Sequence, residues 1–146
     1  MISLEIAALR QVAVRVLMRH AGPDADAAAL AAAARRAYDE LARVLVPIIG
    51  QVGIDALAAR ALHLAQQEYP WLPKTRDPEP VNGTFTHVGS ALEQQDAALA
   101  TEAAAAVLAT LTGLLATFVG ESLTSRLMRK AWPDSFSDAG AEETRA

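Results

Sequence analysis

The chain has no cysteine, which excludes disulfides, thiolate metal sites and cysteine nucleophiles and fits a reducing compartment. Lysine is nearly absent: Lys74 and Lys130 stand against eleven arginines. Net charge is −4, and much of it falls in the last residues, where Asp134, Asp138, Glu142 and Glu143 oppose Arg145. The remainder is nearly neutral, so neither a nucleic-acid footprint nor a polybasic membrane footprint is present. Glu5 and Arg10 interrupt the N-terminal apolar run and no basic segment precedes it. That is not the pattern of a signal peptide, and a cytoplasmic protein is expected.

One long stretch lacks charge altogether, from Ala103 to Gly120. Within and just beyond it Ala103, Ala106, Thr110, Gly113, Thr117, Gly120 and Thr124 alternate spacings of three and four, the rhythm of one α-helical face. This stripe of small side chains lets a neighbouring backbone come close, as helix packing or an oligomer would require. A helix apolar all round is central in a bundle, sealed in an oligomer, or in lipid. Eighteen uncharged residues followed by Arg126, Arg129 and Lys130 reach the length of a membrane span. Alanine, threonine and glycine contribute little to insertion, however, and the other helices are amphipathic, so membrane association ranks as an alternative only.

Alanine supplies 33 residues. It is the best helix former, and its surplus predicts helix throughout, with thin helices that a partner helps to cover. Codon bias in a GC-rich bacterial gene is one expected source of the arginine excess. One all-α domain over residues 1–132 follows, a bundle of four main helices and a short C-terminal one, with helix 4 the most buried.

Helix 1 is expected from Ile2 to His20, with Ile2, Ile6, Leu9, Ala13, Val16 and Leu17 inward and Gly22-Pro23 as its stop. Leu4, Val14 and Met18 form a second apolar flank. Helix 2 opens at Asp24–Asp26, where carboxylates suit the helix N-terminus, and turns Leu30, Ala34, Ala37, Leu41, Val44 and Ile48 inward. Pro47 to Gly53 predicts a hinge, so that helix 2 and helix 3 (Ile54–Glu68) form one bent rod. A Pro-rich loop is expected over 70–89, with a short extended piece at 84–88, because four of the seven prolines lie between Pro70 and Pro80. Ser90-Ala-Leu-Glu93 reads as a capping box opening helix 4. A break is expected near Gly120 because an unbroken helix to Ala131 would far outrun the others, and residues 133–146 read as a disordered acidic tail.

No chemistry-bearing motif stands out. Histidines 20, 63 and 87 are too far apart for a local metal motif, and Gly50-Gln-Val-Gly53 lacks the Lys-Ser/Thr of a phosphate loop. No cofactor or metal is expected. The best candidate pocket lies under the 70–89 loop, with Arg60 as an anion anchor, Trp71 and Phe85 as walls, and His63 and His87 at the rim. The expectation is thus a non-enzymatic, homodimeric interaction or regulatory module, its partner a second copy or another protein. A small-molecule sensor using that pocket is the first alternative.

Overall fold

The computed structural model describes residues 5–72 and 83–133, with the side chains of Ile6 and of residues 83–87 outside the description. Five helices follow one another: α1 (Ile6–Ala21), α2 (Ala27–Ala65), α3 (Gly83–Glu93), α4 (Ala97–Val119) and α5 (Glu121–Ala131). No strand occurs among the described residues. The all-α bundle expected from composition and periodicity is therefore the observed fold.

Helix starts follow the chemistry of exposed amides. Asp26 caps α2 by accepting from the Ala29 amide at 2.8 Å, and Asp96 caps α4 through the Leu99 amide at 2.8 Å. Asp96, not Ser90, thus opens α4. Ser90 and Glu93 lie in the last turn of α3, so the apparent capping box marks the end of one helix rather than the start of the next.

Residues 83–89, which lie in α3, correct the sequence expectation of loop and extended backbone. Val88 and Leu92, four apart and fully buried, give α3 an apolar face that packs mainly against α2. That burial outweighs the weak helix propensity of Gly83-Thr-Phe-Thr. Residues 73–82, the acidic tail from Asp134 and the first four residues, where helix 1 was expected to begin, lie outside the described residues.

The long rod α2 is bent as expected. Gly50 has φ 79° and ψ 164°, and Pro47 removes an amide donor one turn before it. Asp55, beyond the bend, lies near enough to Tyr38 to raise the pKa of its hydroxyl. A straight rod would hold those Cα atoms about 25 Å apart, so the second half of α2 folds back toward the first.

α4 occupies the centre. From Ala103 to Ala109 every residue is buried, and α4 packs against both α1 and α2. Thr112, also buried, satisfies its hydroxyl on the carbonyls of Leu108 and Ala109. Around α4 lie Leu9, Ala13, Val16 and Leu17 of α1, Leu30, Ala34, Ala37, Leu41 and Leu45 of α2, and Leu127 and Met128 of α5. Two expected core positions are corrected. Val44 is half-buried and Ile48 is 47% exposed, because the buried face of α2 moves to Leu45 and the helix outruns its neighbours there.

Candidate functional site

Two regions offer more than core packing. The first lies where the end of α1, the middle of α2 and the end of α5 meet. His20 sits in the last turn of α1, and its Nε2 lies 2.7 Å from Oε1 of Glu40 on α2. α5 ends at Trp132, whose backbone leaves the helix at φ −129° and whose ring is buried. The indole N–H donates to the Ala37 carbonyl at 3.1 Å. Together with Val16, Arg19, Ala131 and Pro133 these side chains line a cleft of about 340 Å³.

Among the described residues the lining carries charges of both signs but no hydroxyl, thiol or amine nucleophile. Its imidazole–carboxylate pair has the chemistry to hold or pass on a proton. No group of three or more metal-ligating side chains occurs among the described residues.

The second region is one end of the bundle, located by following helix lengths. The start of α4 lies beside the α1–α2 turn, where Met18, Gly22, Leu30, Ala97 and Thr101 line a cleft of about 210 Å³. From there α2 runs about 30 Å to Gly50, and α4 runs about 34 Å to Gly120. α5 then returns about 18 Å along α2 to place Trp132 at Ala37, itself about 20 Å short of Gly50. The distances close: Gly50 and Gly120 mark the same end.

Among the described residues that end is apolar and exposed. Val52 is 84% exposed, Phe118 65% and Ile48 47%, and Val46 is exposed beside Pro47. No charged residue occurs between Arg43 and Asp55, nor between Glu102 and Glu121. Both α2 and α4 are long and apolar enough to cross a membrane by length and composition. In α4 most of the apolar window (56%) is spent on the core, whereas in α2 only 22% of it is buried. Packing inside this chain therefore accounts for α4 better than for α2.

Arg60 and His63 are exposed on α2. Trp71 is half-buried and meets Tyr69 edge-on at 6.1 Å, so the start of the connection after α2 is pinned by Tyr69, Trp71 and the buried Leu72. The side chains of Phe85 and His87 lie outside the described residues. The small stripe divides along its length. Ala103, Ala106 and Thr124 are buried, Thr110 and Gly113 half-buried, and Thr117 and Gly120 exposed at the apolar end.

Sequence reasoning missed the His20–Glu40 pair and the role of Trp132. Two residues twenty apart on different helices share no periodic signal, and only the helix-stopping Trp132-Pro133 hinted at a fixed corner. The chain matches no protein-family model, no curated protein and no solved structure.

Proposed function

We propose that this chain is a non-enzymatic helical interaction module that self-associates through the apolar end marked by Gly50 and Gly120. The observation that carries the reading is Val52, 84% exposed within an eleven-residue stretch, 44–54, that has no charge. Exposed apolar area of this kind is costly to leave in water and contributes about 25 cal/mol per Å² once covered. An uncharged patch meets a copy of itself without like-charge repulsion, so a two-fold contact suits it. Thr117 and Gly120 add no bulk beside Phe118 and allow close approach. Asp55 and Glu121, at the borders of the two uncharged stretches, disfavour an anionic lipid surface there.

Sedimentation equilibrium at micromolar concentration tests the reading. The wild type should be a dimer, and Val52→Glu with Phe118→Glu should be a monomer of unchanged helicity. A monomeric wild type overturns it. Flotation of the wild type with phosphatidylcholine vesicles, lost in the same double variant, would replace self-association by membrane association.

A further inference from the structure

We infer that Gly120 is a hinge through which two copies of this chain exchange α5: α4 and α5 straighten into one helix, and each α5 docks on α2 of the other copy. A single residue separates the two helices. α4 ends at Val119, α5 starts at Glu121, and Gly120 between them leaves helical geometry at φ 96° and ψ 155°. A connection this short has no slack to absorb strain, the circumstance that favours exchange over closure within one chain.

The closed hinge leaves hydrogen bonds unmade. No side chain caps the first turn of α5. In one continuous helix the amides of residues 121–123 would reach the carbonyls of residues 117–119, four positions back. The corner itself is open to solvent: Thr117, Phe118, Gly120, Glu121 and Ser122 are all exposed, and a Cβ at Gly120 would meet no atom within 4 Å. No proline occurs from Ala97 to Ala131, so the segment is free to form one helix of about 52 Å.

Helical phase then fixes where α5 docks. Leu111 and Leu115 of α4 are buried, and so are Leu127 and Ala131 of α5. Leu127 follows Leu111, and Ala131 follows Leu115, by the same sixteen residues, which is about 160° around a continuous helix. Straightening therefore turns the apolar face of α5 away from its own bundle and carries it past the end. Its seat is then the α2 surface of a second copy, where Trp132 donates to the Ala37 carbonyl as it does within the closed chain. Exchange keeps every contact of α5 and adds the straightened corner, so association entropy is its main cost and its extent rises with concentration.

The experiment mixes ¹⁵N-labelled and ¹³C-labelled full-length protein, unfolds both in urea and refolds them together at about 1 mM, where mass action favours exchange. A filtered NOE from the ¹⁵N-bound indole proton of Trp132, assigned with Trp71→Phe, to ¹³C-bound protons of Ala37 arises only between copies. Wild type should show it. Gly120→Ala should show it about fivefold more strongly, because alanine resists the closed backbone and favours the helix. A flexible Gly-Ser-Gly insert after Gly120 should abolish it, since slack lets each α5 reach its own α2, with circular dichroism confirming the fold. Closed chains associating through the apolar end keep the contact within each chain and give no such signal. A dimer without the signal thus overturns exchange and leaves that association standing. Absence of the signal in both wild type and Gly120→Ala, or its persistence undiminished with the insert, also overturns the proposal.

Discussion

The indole N–H of Trp132 donates to the carbonyl of Ala37, 95 residues earlier in the chain, at 3.1 Å. This bond and the burial of the ring hold the end of α5 against the middle of α2. Trp132→Phe keeps most of the apolar area and loses the bond, so it should cost about 1 kcal/mol. Trp132→Ala should cost about 3–5 kcal/mol through the cavity it leaves. Urea denaturation of the two variants checks the ordering. Equal losses would mean that the hydrogen bond and ring burial are not separable as argued.

Gly50 and Gly120 adopt nearly the same backbone, φ 79° and ψ 164° against φ 96° and ψ 155°. An added Cβ would meet no atom within 4 Å at either position. Alanine at either glycine should therefore cost about 1–3 kcal/mol from backbone strain alone, in a region only glycine adopts freely. Gly53→Ala is the control. It is helical, gains about 0.8–1 kcal/mol of propensity, and brings its Cβ to 3.2 Å from Ile49 Cβ. Thermal melts should place Gly53→Ala within a few degrees of wild type and the other two clearly below it.

Those two breaks were legible because glycine and proline interrupt helices locally, whatever the tertiary context. Asp26 was legible for the same reason, as a carboxylate just before an apolar rhythm. α3 was not: Gly83-Thr-Phe-Thr-His favours turns, and only the burial of Val88 and Leu92 reveals the competing force. The stripe of small residues was read as one helical face, but the break at Gly120 puts Thr124 on α5. Spacing could not reveal that its Ala103 end would be covered and its Thr117 end left bare. That depends on how far the neighbouring helices extend, which no local pattern encodes. The cleft at His20 and Glu40 was invisible for a related reason, since three helices contribute to it.

Tyr38 links the core to alkaline pH. Burial raises the pKa of its hydroxyl above the ordinary 10.0, and the carboxylates of Asp55 and Asp39 raise it further. Above about pH 10 the unfolded chain releases this proton and the native state keeps it, so stability falls as pH rises. Tyr38→Phe should remove part of that slope. Denaturation midpoints at pH 8 and pH 11 decide: parallel losses in both proteins would show that Tyr38 carries none of the alkaline sensitivity.

Arg10 and Glu68 supply the corresponding acid dependence. Two parallel hydrogen bonds, 3.1 Å to Oε2 and 2.8 Å to Oε1, tie α1 to the turn that follows α2. The Arg10 hydrogen bond, assisted by one from Tyr69, holds the Glu68 carboxyl below its ordinary 4.5. A depressed carboxyl contributes stability above the unfolded pKa and loses it as pH falls through the folded one. The pair is 37% and 49% exposed, so solvent screening limits it to about 1 kcal/mol or less despite its two-pronged geometry. Glu68→Gln should accordingly lower stability slightly at pH 7 and by less at pH 3, below the ordinary carboxyl value, where that stabilisation is being lost. The difference at pH 7 should also shrink in 1 M salt. Equal differences at both pH values would assign the effect to packing of the Glu68 side chain rather than to its charge.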